Sequence, residues 1–287
     1  MAKADKVIDA SDDTRGILKG KALILIAGVV ILSVGLAYIC VAPPTDLPNW
    51  PLYTANAMVW QTVERVSRAV KPYHVRVLET ASAYLESRTL YLIAYLGVPD
   101  ILHEQQVPLS CEELKPLIDY IKTGEALNLP FFCRLLHAAA HFDLLQEEGK
   151  GKYSLTELGK YLVSSHPKSL KNYVQMAAGD EATVIAVSLT HSIFTGASGF
   201  KETYRVELLE QLEKDPVFRE IFDRGQADSA RQVAPALIAD YPPFGSCKHI
   251  CDLGGGVGSF LLQVLQHYGF AMKGTVFELP KVVENAK

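Results

Sequence analysis

The stretch from Ile250 to Lys281, ICDLGGGVGSFLLQVLQHYGFAMKGTVFELPK, decides how this chain folds. Its apolar lead-in, His249-Ile250-Cys251-Asp252-Leu253, reads as a short buried strand, and the turn Gly254-Gly255-Gly256-Val257-Gly258 follows at once. Glycine there permits a sharp reversal into a helix and a close backbone approach to a ligand. Phe260, Leu261, Val264, Leu265 and Tyr268 then recur at helical spacing, with Gly269 placed as a C-terminal cap. A second strand, Gly274 to Phe277, ends in Glu278. The pattern predicts a β-turn-α-β unit that presents ligand-binding groups at the carboxyl ends of two parallel strands.

Glycine spacing narrows the ligand. A dinucleotide fingerprint, G-x-G-x-x-G, counted from Gly254 and Gly256 would need a third glycine where Ser259 stands, which weighs against a nicotinamide cofactor. What the chain carries is Asp252-x-Gly254-x-Gly256-x-Gly258, which resembles the first motif of S-adenosylmethionine-dependent methyltransferases. A glycine-rich structural turn beside an ordinary surface Glu is the plain alternative; turn, helix, strand and acid all occurring in the required order favour the ligand site. Phe277-Glu278-Leu279-Pro280-Lys281-Val282-Val283 resembles the second-strand motif of the plant caffeate and acetylserotonin O-methyltransferase family, which usually reads Phe-Asp-Leu-Pro. Tyr153-Ser154-Leu155-Thr156-Glu157-Leu158-Gly159 and Asp215-Pro216-Val217-Phe218 are similar to that family's pattern too, so the resemblance runs from about Val77 to the last residue.

The resemblance implies S-adenosyl-L-methionine as cofactor, with Asp252 toward its methionine end, Gly254, Gly256 and Gly258 beneath it, and Glu278 on the ribose hydroxyls. It implies transfer of a methyl group to a hydroxyl of a small, aromatic molecule, and a homodimer. The family's proton-accepting histidine is expected beyond Lys287, so the catalytic residue is unknown, and the chain by itself is expected not to turn over substrate. The competing function is a non-catalytic, membrane-tethered, dimerising protein that keeps a partial cofactor site.

Forty-nine per cent hydrophobic and 21% charged residues are ordinary for a globular protein of 287 residues, long enough for two domains. A net charge of −4 gives no basic footprint for nucleic acid. Five scattered cysteines argue against a disulfide framework. Cys247-Lys248-His249-Ile250-Cys251 lacks a fourth ligand and Cys251 sits in the apolar strand, so no metal is expected.

Ala22 to Ala42, ALILIAGVVILSVGLAYICVA, holds no charge. As a helix it would be about 32 Å long, enough to cross a bilayer core, and its Leu, Ile and Val side chains favour insertion by about 5 kcal/mol. A cleaved signal peptide is the rival, but the run is longer than a usual h-region, and Pro43-Pro44 stand where the cleavage site would be. Lys3, Lys6, Arg15, Lys19 and Lys21 precede the run and no Lys or Arg follows before Arg65, so a single-pass protein with a cytoplasmic amino terminus is expected. The side of the membrane holding the remainder stays open, because S-adenosylmethionine is made in the cytosol.

Between these regions, Val75 to Leu96 reads as a helix stopped by Gly97. Ser110-Cys111-Glu112-Glu113 has capping-box spacing, and Asn128 caps a third helix with Pro130 in its first turn. Leu144 to Gln146 and Tyr153 to Leu155 read as a hairpin, and Thr156 caps a helix to Leu162. Three helices and a hairpin describe a winged helix. Its third helix offers only Arg134, His137 and His141 to bases or phosphates, so subunit contact is expected rather than DNA. The expected class is therefore mainly α with α/β: a cytoplasmic tail 1–21, a transmembrane helix 22–42, a linker and helix 43–74, a winged-helix dimerisation domain 75–165, a helical linker with the acceptor pocket 166–244, and an incomplete Rossmann-like domain 245–287. His191, Phe194 and Phe200 are candidates for the acceptor pocket or for core packing, and Gln226 stands where the family usually has Met.

Overall fold

The computed structural model describes residues 61–118, 126–149 and 151–284, which belong to two compact units that meet in sequence between Val77 and Leu78. The described part of the first is helical apart from residues 71 and 72. Helix α1 (Tyr73–Tyr95) leads into the second, burying Thr89, Ile93 and Ala94 at its carboxyl end. The chain turns at Gly97, and helix α2 (Val98–Gln105) resumes with Pro99 in its first turn, where a missing N–H costs nothing. A glycine stop followed by proline hid this helix from the sequence.

Strand β1 (Leu109–Ser110) and helix α3 (Cys111–Leu114) meet at the expected capping box. Glu113 N–H donates to Ser110 Oγ at 3.3 Å and Ser110 N–H to Glu113 Oε2 at 2.8 Å. The helix lasts one turn because Pro116 cannot continue the ladder, and a 3-10 turn (Lys115–Leu117) follows. Helix α4 (Leu129–His141) is capped by Asn128 Oδ1, which accepts from Phe131 N–H at 3.3 Å. Strands β2 (Leu145–Glu148) and β3 (Lys152–Leu155) form the hairpin, with β3 also pairing β1, so the sheet order is β1-β3-β2, all antiparallel. Thr156 caps α5 (Glu157–Lys160), two residues shorter than expected. Ile93, Val98, Leu114, Phe132, Leu136, Leu145 and Tyr153 fill the core of this module.

The scattered cysteines hold one bonded pair after all. Cys111 and Cys133 form a disulfide with Cα atoms 5.3 Å apart, joining α3 to α4. Linear spacing could not show that the capped end of α3 lies against the second turn of α4.

Six helices follow: α6 (Lys171–Ala178), α7 (Asp180–Val187), α8 (Leu189–Thr195), α9 (Gly199–Tyr204), α10 (Leu208–Lys214) and the long α11 (Pro216–Asp240). Then come a 3-10 turn (Pro242–Ser246), strand β4 (His249–Leu253), helix α12 (Ser259–His267), strand β5 (Lys273–Phe277) and helix α13 (Pro280–Glu284). Strands β4 and β5 are parallel and in register from His249↔Lys273 to Leu253↔Phe277, as the β-turn-α-β reading required. Ala234 and Ile238 of α11 pack with Val264 of α12 and Met272.

The expected membrane location is corrected. Among the described residues no helix is long and apolar enough to cross a membrane. The expected span, 22–42, together with the tail before it, lies outside the described residues. Without a described span, neither a single-pass topology nor a membrane partner is retained.

Candidate functional site

Strand β4 delivers Asp252 to the start of the glycine turn, and Gly254 N–H donates to Phe277 O at 2.8 Å, fastening the turn to the end of β5. Gly254, Gly256 and Gly258 have φ of 70°, 58° and 79°, the left-handed region that only glycine enters without strain. At Gly258 a Cβ would also lie 3.1 Å from Val276 Cγ2, so this glycine lets α12 start close against β5. That is the role which the dinucleotide fingerprint gives to the position held here by Ser259.

Glu278, directly after β5, folds back over the turn. Its Oε2 accepts from Gly256 N–H at 3.1 Å and its Oε1 from Leu279 N–H at 2.8 Å. A carboxylate has about four lone-pair sites, so roughly two remain for a ligand. Burial holds the Asp252 carboxyl above the usual carboxylate range, and the nearby charge of Glu278 pushes it the same way. Two acids thus share one small space, a placement that suits a ligand carrying donors or positive charge.

The space is a cavity of about 380 Å³, within the range of small-molecule sites. Asp252, Gly254, Gly255, Gly256 and Glu278 form one wall; Gly258 is not part of the lining. Helix α11 contributes Arg219, Phe222, Asp223, Gln226 and Ala230 to the same lining. Arg219 is only 7% exposed. Its Nε donates to Leu212 O at 2.8 Å and its Nη1 lies 4.0 Å from Asp223 Oδ1.

Helix α11 is fixed at two points. Asp215 caps it, accepting from Val217 and Phe218 N–H at 3.0 Å each. Farther along, Asp228, 1% exposed, accepts from the backbone N–H of Asn172 at 2.8 Å and of Tyr173 at 3.0 Å, and pairs with Arg231. A buried carboxylate on α11 therefore holds the first turn of α6, where the helix dipole favours negative charge.

The three residues offered for the acceptor pocket or for core packing lie in different surroundings. Phe194 is 84% exposed on α8, Phe200 packs with Leu212 and Phe218, and His191 pairs with Glu202 at 3.9 Å. None lines the cavity. Conversely, the sequence did not single out Arg219 or Gly255. Arg219, Asp223 and Gln226 recur at i, i+4 and i+7 after the Asp215 cap, a polar stripe on one helix face that could have marked them.

Residues 187–287 match the O-methyltransferase domain family, and residues 78–165 match the O-methyltransferase dimerisation domain family. The chain is 31% identical over 202 residues to an O-methyltransferase of Streptomyces lavendulae, covering 69% of this chain and 56% of that protein. It is 28% identical over 210 residues to the phenazine O-methyltransferase of Lysobacter antibioticus, covering 73% and 58%. The crystal structure of LaPhzM superposes with a TM-score of 0.68 at 27% identity over 75% of this chain and 61% of that one. That of mitomycin 7-O-methyltransferase gives 0.63 at 25% over 77% and 62%. The chain thus spans little more than half the length of these curated relatives.

Proposed function

We propose, from the premise that this chain belongs to the O-methyltransferase family, that its cavity binds S-adenosylmethionine for methylation of a hydroxyl on a small ring compound. The observation that carries the reading is one cavity lined both by the acids Asp252 and Glu278 of the β-α-β unit and by the buried Arg219 of α11. The amino-acid end of the cofactor carries both an ammonium and a carboxylate. Asp252 would accept from the ammonium, Arg219 would donate to the carboxylate, and the free lone pairs of Glu278 would accept from the ribose hydroxyls. When bound, the cofactor would supply a sulfonium methyl group that an acceptor oxygen can attack in line, with the thioether sulfur as the leaving group. This chain's own contribution is positioning: the turn fixes the cofactor's depth, and Phe222 and Ala230 offer apolar surface to the acceptor.

Residues 75–165 are assigned as a winged-helix dimerisation module, 166–244 as the linker that carries the acceptor wall, and 245–287 as part of the Rossmann-like cofactor domain. Homodimerisation is supported by the matched dimerisation family and by Phe131 of α4, which stands 67% exposed with Arg134 over its ring at 5.6 Å.

Titration calorimetry with S-adenosylhomocysteine and with adenosine tests the cofactor site. Arg219→Gln and Asp252→Asn are expected to weaken S-adenosylhomocysteine by about 10- to 100-fold, the worth of a lost charged hydrogen bond, and to leave adenosine unchanged. Glu278→Gln is expected to weaken both. Equal affinity of wild type and Arg219→Gln for S-adenosylhomocysteine would remove the proposed role of the α11 wall.

A further inference from the structure

We propose that Gln226 sets acceptor preference: its amide selects a hydroxylated ring bearing a second hydrogen-bonding group over one bearing a lone hydroxyl. The inference rests on the cofactor site proposed above and adds the acceptor's chemistry. On the α11 wall, Arg219 and Asp223 are partly committed, Arg219 to Leu212 O and to Asp223 at 4.0 Å. Gln226 lines the same cavity and has no hydrogen bond or ion pair among the described residues.

Apolar neighbours in the lining are Phe222 one turn before it, Ala230 one turn after it, and Phe260 of α12, while Asp223 lies on the same face of α11. Flat aromatic surface suits a ring, and an amide beside that surface offers one acceptor and two donors within a single group. An acceptor with only one oxygen presents that oxygen to the cofactor and has nothing left for the amide. A second oxygen or nitrogen on the ring meets it. Discrimination of this kind is strong because a polar group desolvated by the ligand and left unpaired is penalised, whereas an apolar wall cannot reject a ligand that lacks a hydroxyl. Gln226 is exposed and belongs to no core cluster, so its replacement leaves the packing of α11 intact.

The test uses the full chain saturated with S-adenosylhomocysteine and titrated calorimetrically with 2,3-dihydroxynaphthalene and with 2-naphthol. Wild type is expected to prefer the diol by up to about tenfold, the worth of one satisfied hydrogen bond. Gln226→Met, saturated with S-adenosylhomocysteine as judged by its own titration, is expected to bind both nearly equally, with unchanged melting temperature. Gln226→Glu keeps an acceptor oxygen for the second hydroxyl and should retain the diol preference. If Gln226→Met keeps the wild-type preference, or neither naphthol binds the saturated protein, the role of Gln226 is overturned while the cofactor site stands. Failure of S-adenosylhomocysteine to bind wild type overturns the cofactor site itself and this inference with it.

Discussion

A methyl group placed on Gly255 would sit 2.6 Å from Asp252 Cγ, too close to be accommodated in place, so in Gly255→Ala the Asp252 carboxyl must shift from its position at the turn. Its expected effect is at least about a tenfold loss of S-adenosylhomocysteine affinity, the size of one charged hydrogen bond, with a small change in melting temperature. Unchanged affinity in titration calorimetry would mean that Asp252 does not hold the ligand. Asp252 also sets a pH dependence. Its carboxyl is raised in the folded chain, so the protonated form is favoured and the empty protein loses a little stability as pH climbs from the usual carboxylate value through the raised one. Ligand binding runs the other way, because only the ionised carboxylate pairs with an ammonium. Affinity for S-adenosylhomocysteine should fall on acidification through that raised pKa, and Asp252→Asn should flatten this part of the profile. Asp252, Glu278 and the three left-handed glycines were legible in the sequence, since strand, turn and acid lie within one short stretch. Arg219 and Gly255 were not: the first reaches the cavity from another element, and the second is constrained by a side chain three residues earlier rather than by its own backbone angles.

Among the elements, α3 and α4 are joined by the Cys111–Cys133 disulfide, separated by 22 positions in the chain. Closing a loop of that length stabilises the fold by about 3 kcal/mol in the chain-entropy account. Reduction, or Cys133→Ser, should therefore lower the melting temperature of the oxidised protein by several degrees, visible by circular dichroism with and without reductant. Asp228 is a second fastening, between α6 and α11. Asp228→Ala leaves two backbone N–H groups and Arg231 without their acceptor and is expected to cost about 3 kcal/mol, read as a drop in the urea midpoint. Helix capping was readable from the chain at Ser110, Asn128 and Thr156, because the capping side chain and its N–H partner lie three residues apart. The disulfide and the Asp228 staple were unreadable, because each joins residues that only tertiary packing brings together.

For the molecule as a whole, self-association is expected at α4. Phe131 is exposed whereas its neighbour Phe132, 3% exposed, is core, so only Phe131 reports on the contact. Phe131→Ser should shift sedimentation toward monomer without unfolding; Phe132→Ser should unfold the module. Sedimentation of the wild type as a monomer at all concentrations would refute the dimer. One feature of α11 also governs how residues 78–287 respond to heat. Its first half carries Phe218 in one hydrophobic cluster and the Asp228 contact to α6, while its last turns supply Ala234 and Ile238 to the cluster around Val264 and Met272. A single helix shared by two cores couples them, because melting either half exposes apolar surface of one core and frees the end of the helix that packs in the other, with Pro235 interrupting its hydrogen-bond ladder at the second core. Calorimetry should accordingly record the linker and the β-α-β unit in one endotherm, and a bound cofactor, though it touches only the cavity face of that helix, should move the entire peak upward rather than split off a shoulder.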